Sequence, residues 1–239
     1  MEIINKPSYP FSVILPTKNE EPAFRTGLVR DFKKVADKVI VVDGNSSDRT
    51  REIAEKDGAT VFRFNGGKGR DFQSFQNYVR KNPDEFGPYF AMADADRTCR
   101  PEDLEKMFKP IIDGEADMVV GSRFYEIKPA QGSTRSLQRI GNIAAATLAN
   151  VLYHRRDLRD ATCPFWAFTK EFLVKEQITS NGFDLEAELL AKANLGGYRL
   201  KTVSIKQEKR VGTSKFLGLG YAKVPYFLLK HYALGLLRK

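Results

Sequence analysis

Asp94 and Asp96, separated only by Ala95, are the side chains in this sequence most open to chemistry. Two carboxylates this close can share a hard divalent cation with phosphate oxygens. Magnesium and manganese favour oxygen ligands, and magnesium is commonly held by one or two carboxylates plus phosphate. A Mg2+ or Mn2+ ion there would stabilise charge on a departing diphosphate. By itself, such a motif on a surface loop reads sooner as a solvated acidic turn than as a metal site. Here it follows the apolar run Tyr89 to Ala93, at what reads as a strand end, and that favours the metal reading.

Other candidate groups occupy similar positions. Pro16, Thr17, Asn19 and Glu20 follow the apolar run Phe11 to Leu15, and Asp43 follows Lys38 to Val42. A carboxylate at Asp43 could accept hydrogen bonds from a nucleobase or ribose. The neighbouring Asn45, Ser46, Ser47 and Asp48 are good helix-capping types. Gly66-Gly67-Lys68-Gly69-Arg70 is glycine-rich and basic but is no P-loop; it could face phosphate ahead of a helix or be a plain turn. Arg123, Arg135, Arg139, Arg210 and Lys215 could gather around an anionic acceptor, since arginine suits phosphate through bidentate contacts. Trp166 reads as core, and the isolated His154 and His231 carry no partner pattern.

The elements that must position these groups alternate strand and helix. Strands are predicted at Phe11–Pro16, Lys38–Val42, Ala59–Phe64, Tyr89–Ala93 and Asp117–Ser122, with helices at Glu21–Ala36, Asp48–Asp57, Gly69–Lys81 and Pro101–Asp113. Such alternation implies right-handed crossovers and a mostly parallel sheet flanked by helices. Ligands then bind beyond the carboxyl ends of the strands, where the polar clusters fall. Later come a helix at Arg135–Tyr153, a strand at Pro164–Thr169, a helix at Phe183–Leu195, a strand at Tyr198–Ile205 and a basic loop at Lys206–Lys215. Residues 216–239 read as an amphipathic C-terminal helix, either lying on a membrane surface or packed as core; residues 1–215 read as one α/β domain.

The 239-residue chain carries a net charge of +9, which favours anionic partners. Nucleic acid is not expected among them, because acidic motifs at the strand ends would repel its backbone. Two distant cysteines, Cys99 and Cys163, make no disulfide framework and suit a reducing compartment. Met1–Pro10 lacks the apolar core of a signal peptide, and no apolar stretch reaches the roughly 18–20 residues that span a bilayer. The expectation is a soluble or peripheral protein.

Taken together, these motifs resemble the family 2 glycosyltransferases of GT-A fold, and among them the polyprenyl-phosphate sugar synthases. The resemblance rests on Ser12 to Glu20, Val41 to Thr50, Gly67-Lys68-Gly69, Asp94-Ala95-Asp96, Gly121-Ser122-Arg123-Phe124 and Arg210 to Lys215. It implies a hexose transferred with inversion from a nucleotide-sugar of GDP-mannose or UDP-glucose type to dolichyl or polyprenyl phosphate. The alternative is a soluble sugar, phosphate or glycan acceptor. By the resemblance, Pro16, Thr17, Asn19, Glu20, Asp43, Lys68 and Asp94-Ala95-Asp96 bind the donor, with Asp94 and Asp96 on the metal. Arg123, Arg135, Arg139, Arg210 and Lys215 bind the acceptor phosphate. Asp160 and Glu188 shape the sugar site and complete the catalytic set with Asp94 and Asp96. An anionic acceptor needs positioning more than a general base. Arg97, beside the triplet, cannot ligate metal and could bind donor phosphate instead. The implied location is the cytoplasm, peripheral on the cytoplasmic face of a membrane.

Overall fold

A computed structural model describes residues 8–123, 136–213 and 223–237, with the backbone alone for residues 136–139. Seven strands form one sheet in the order β3-β2-β1-β4-β6-β5-β7. They are β1 (Phe11–Thr17), β2 (Lys38–Asp43), β3 (Thr60–Arg63), β4 (Tyr89–Met92), β5 (Met118–Ser122), β6 (Trp166–Thr169) and β7 (Leu200–Ser204). β6 runs antiparallel to β4 and β5; the other pairings are parallel. β1, β2 and β4 are apolar along their length because both sheet faces are covered, the pattern of a buried parallel sheet. Trp166, Phe72, Phe75, Phe90 and Phe168 are fully buried on the sheet and its helices.

The helices are α1 (Glu21–Arg25), α2 (Leu28–Lys33), α3 (Thr50–Lys56), α4 (Lys68–Lys81), α5 (Leu104–Ile112), α6 (Ser136–Leu152), α7 (Lys170–Lys175), α8 (Leu185–Leu195) and α9 (Val224–Leu236). The single helix expected over Glu21–Ala36 is broken at Gly27, whose φ of 85° lies in the left-handed region. The short α7, capped by the Thr169 hydroxyl, was not foreseen.

Register aligns the functional loops. Thr17 stands opposite Asp43, and Ile14 opposite Met92, so β1, β2 and β4 end at one edge. The Gly44 amide donates to the Thr17 carbonyl at 2.8 Å and the Ala93 amide to Ile14 at 3.0 Å, carrying the pairing into the loops. The loop after β7 returns to this edge. Its Glu208 and Val211 amides donate to the carbonyls of Thr98 and Asp96.

The C-terminal helix α9 packs on α8 and α6. Val224, Leu228 and His231 are its buried residues. Lys230 and His231 donate to the Asp184 carboxylate at 2.8 and 3.0 Å, so His231, unpartnered by sequence, has a partner in the fold. Burial alone would raise the Asp184 carboxyl, but hydrogen bonds from His231 and Lys230 outweigh it and hold it well below the usual range. Among the described residues no helix is long and apolar enough to cross a membrane.

Candidate active site

A cavity of about 480 Å³ opens at the carboxyl ends of β1, β2 and β4. Nine of the residues singled out by sequence line it: Pro16, Thr17, Glu20, Lys68, Asp94, Ala95, Asp96, Arg123 and Arg210.

The acidic pair lies on its floor. Asp96 is buried; its Oδ1 accepts from the Thr98 amide at 3.0 Å and hydroxyl at 2.6 Å, and its Oδ2 from Arg210 Nη1 at 2.6 Å. Burial, then the charge of Asp94, push the Asp96 carboxyl above its ordinary value. Asp94 accepts from Lys68 Nζ at 2.8 Å, and Lys68 also donates to Glu186 at 2.5 Å. Burial would depress the Lys68 ammonium, but the two carboxylates override it and hold it above its usual range. Lys68 opens α4, and Gly69 beside it touches the neighbouring segment. A Cβ at Gly69 would lie 2.4 Å from the Ser180 carbonyl oxygen, so only glycine lets the helix seat there.

The loops after β1 and β2 brace each other. Asn19, with φ 49°, donates its amide to the Ser46 hydroxyl and accepts from the Ser47 amide, both at 2.8 Å. Asp43 is fully buried, and Ser46 donates to it through both amide and hydroxyl. Asp43 thus braces its own turn and does not itself line the cavity. Asp71, three residues into α4, lines the cavity beside Thr17 and Val42 and accepts from the Gly66 amide. Burial raises its carboxyl above the ordinary value. The sequence signal for Asp71 was only an acid in a helix's first turn, which reads as charge placement.

Two arginines also line the cavity. Arg123 holds Asp160 in a fork, Nε to Oδ2 at 2.6 Å and Nη2 to Oδ1 at 2.9 Å, with Nη2 also 3.2 Å from the Thr162 hydroxyl. Asp160 is fully buried behind Arg123 and outside the lining. Arg210 bridges Asp96 and Glu20. Arg135 and Lys215, and the side chain of Arg139, lie outside the described residues. Arg97 is turned away from the cavity: it donates to the Thr26 hydroxyl, the Thr26 carbonyl and Asp31, pinning α1 to α2.

Glu188 lies apart from this cavity. It accepts from the Thr179 amide at 2.9 Å, the Thr179 hydroxyl at 2.8 Å and the Ser180 amide at 2.7 Å, outside the cavity. Residues two apart on a helix point about 200° apart, so α8 cannot present both Glu186 and Glu188 to one pocket. Glu186 is the one that faces it. Glu188→Gln is expected to lower stability by about 1–3 kcal/mol, the range for stranding buried hydrogen-bonding groups. Transfer kinetics below the melting transition should hold. Thermal melts and steady-state rates check this, and a rate loss with an unchanged melt would return Glu188 to the site.

Residues 12–175 match the model of the family described as Glycosyl transferase family 2. The chain belongs to that family. Two proteins of Haloferax volcanii resemble it over most of its length. The dolichyl-phosphate hexose transferase of Haloferax volcanii is 35% identical over 210 residues, 85% of this chain and 85% of that protein. Glycosyltransferase AglJ of the same organism is 32% identical over 194 residues, 80% of this chain; the chain spans 60% of AglJ's length. Among solved structures, glucosyl-3-phosphoglycerate synthase from Mycobacterium tuberculosis with phosphoglyceric acid superposes with a TM-score of 0.72 at 21% identity, covering 95% of this chain and 81% of that one. Its complex with Mn2+, UDP and glucosyl-3-phosphoglycerate gives 0.69 at 19% identity, with the same shares of each chain. At such identities the likeness speaks for the fold alone, which is the GT-A fold.

Proposed function

We propose that the chain transfers a hexose, with inversion, from a nucleotide-sugar of GDP-mannose or UDP-glucose type to a dolichyl or polyprenyl phosphate. The observation that carries this reading is the cavity's polarity: the acidic pair Asp94 and Asp96 on its floor, Arg123 and Arg210 on its wall. The 35%-identical relative is a dolichyl-phosphate hexose transferase, which supports the lipid phosphate.

In this reading the base and ribose sit between the loop after β1 and Asp71, with the diphosphate near Lys68 and the acidic pair. The acceptor phosphate rests on Arg123, which Asp160 holds in place. A phosphate oxygen forms a bond to the anomeric carbon as the bond from that carbon to the diphosphate breaks. The oxygen is already anionic, so placement rather than proton removal is what the protein supplies. Among the described residues no cluster of three or more His, Cys, Asp or Glu side chains could hold a metal. Two carboxylates suit Mg2+ or Mn2+ when diphosphate oxygens complete the shell. Asp94 and Asp96 would hold that cation, which neutralises charge on the departing diphosphate. The Mn2+ and UDP bound by the structural neighbour support this assignment.

We infer a peripheral position on the cytoplasmic face of a membrane, and exposed apolar side chains support the membrane contact. Ile140, Ile143 and Val151 are exposed on α6, and Tyr226, Leu229, Leu236 and Leu237 along and just past α9. On each helix these side chains recur at helical spacing, and the two helices pack together. The inner face of α9 contributes Val224 and Phe227 to the cavity wall, so the helix joins apolar surface to site. An uncovered apolar face beside basic residues suits a lipid interface. Tyr226→Glu with Leu229→Glu is expected to abolish co-sedimentation with anionic vesicles and to leave transfer to a short, water-soluble polyprenyl phosphate intact. Vesicle binding that survives both changes would remove α9 from the interface.

The function itself is tested by incubating radiolabelled UDP- and GDP-hexoses with short polyprenyl phosphates and Mn2+. An organic-extractable product that disappears with chelator is expected. A soluble glycoside in its place would move the acceptor to the class of phosphoglyceric acid, the ligand of the structural neighbour.

A further inference from the structure

Each carboxylate of the acidic pair is already engaged by an internal cation. Lys68 Nζ lies 2.8 Å from Asp94 Oδ1, and Arg210 Nη1 lies 2.6 Å from Asp96 Oδ2. Each of these cations has a second carboxylate within reach. Lys68 is 2.5 Å from Glu186, and Arg210 is 3.4 Å from Glu20. Glu186 and Glu20 are largely buried in the cavity wall, with side chains 10% and 9% exposed. Neither is a neighbour of the acidic pair in sequence, and the two arms come from separate parts of the chain: α4 with α8, and the loop after β7 with the loop after β1.

A divalent cation on Asp94 and Asp96 competes with an ammonium and a guanidinium for the same two carboxylates. Like charges a few ångströms apart in a partly dry cavity repel strongly. Expelling Lys68 or Arg210 into the cavity with no anion beside it would strand a buried charge, which is costly. Glu186 and Glu20 remove that penalty, because each cation can let go of an aspartate while keeping its glutamate.

We propose that Glu186 and Glu20 are positioning residues that receive Lys68 and Arg210 when a divalent metal displaces them from Asp94 and Asp96. The internal cations thus occupy the acidic pair between turnovers, and metal binding is an exchange of cations rather than the filling of a bare site. This rests on the assignment of the metal to Asp94 and Asp96, and the test separates the two claims.

The test is direct Mn2+ binding to the full chain, with free Mn2+ counted by electron paramagnetic resonance and no sugar donor present. Lys68→Met and Arg210→Met are each expected to tighten Mn2+ binding about ten-fold, the scale of one hydrogen bond to a charged group. Glu186→Gln and Glu20→Gln are expected to weaken it several-fold, because the displaced cation then has no carboxylate to keep. The decisive comparison is the double variant: in the Lys68→Met background, Glu186→Gln should have no further effect. Arg210 with Glu20 forms an independent second arm, so a folding defect in one arm leaves the other readable. Binding unchanged or weakened by Lys68→Met and Arg210→Met would overturn the exchange while leaving the metal site standing. So would a Glu186→Gln loss that persists without Lys68. Absence of saturable Mn2+ binding in every variant, with UDP or GDP added as well as without, would overturn the metal assignment and the exchange with it.

Discussion

Asp94→Ala is expected to lower kcat for sugar transfer by about a thousand-fold, the scale of several kcal/mol of lost charge stabilisation on a departing diphosphate. Its melting temperature should stay close to that of the parent chain. The reason lies in how the two aspartates are held. Asp94 is partly exposed and bonded to Lys68, which keeps Glu186 when Asp94 is removed. Asp96 is buried and receives Thr98 and Arg210, so Asp96→Ala loses stability as well as rate. Steady-state transfer with saturating Mn2+, paired with thermal melts, separates the two effects. Transfer by Asp94→Ala within ten-fold of the parent would mean that the acidic pair is not where the diphosphate charge is met.

The second large effect is at the Arg123–Asp160 fork. Asp160→Ala leaves the Arg123 guanidinium without its buried partner, and breaking such a pair by removing one member costs roughly 3–5 kcal/mol. For a chain of this size, at about 2–4 °C per kcal/mol, the melt should fall on the order of 10 °C. The same change lets Arg123 leave the cavity wall, so KM for the acceptor should rise more than KM for the donor. Asp160→Asn keeps the shape and tests charge alone: it should recover part of the melt and little of the acceptor affinity. A small shift in the melt, or equal losses toward donor and acceptor, would mean that the fork does not position an acceptor group.

The parts of this site that were legible in sequence are those fixed by local pattern. Buried parallel strands appear as short apolar runs, so the ends of β1, β2 and β4, and with them Thr17, Asp43 and Asp94, could be located from residue types. The break at Gly27 could not, because a helix tolerates glycine and only the observed left-handed φ reveals the turn. The choice between Glu186 and Glu188 was hidden for a different reason. Residues 185–191 of α8 are all buried, so the helix shows no polar face from which its rotation could be read. Asp43 was placed at the right strand end, but which atoms its carboxylate meets depends on the fold of the 44–46 turn. The partnerships of Arg123 with Asp160, of Lys68 with Glu186 and of His231 with Asp184 join residues far apart in sequence. No spacing rule reports such pairings. Arg97 beside the triplet looked like a donor contact because proximity in sequence was all there was to judge by; a φ of 71° turns it onto α1 and α2.

The central claim is that the basic wall of the cavity receives a lipid phosphate, and one competition measures it most directly. A single labelled donor, Mn2+ and the full chain are mixed with equimolar short polyprenyl phosphate and 3-phosphoglycerate, and the label is partitioned between organic and aqueous phases. The account predicts label in the organic phase, with kcat/KM favouring the lipid phosphate by at least about ten-fold, the discrimination that even one apolar contact supplies. Label held mainly in the aqueous phase on 3-phosphoglycerate would contradict it, leaving the GT-A fold and the acidic pair but assigning Arg123 and Arg210 to a soluble acceptor.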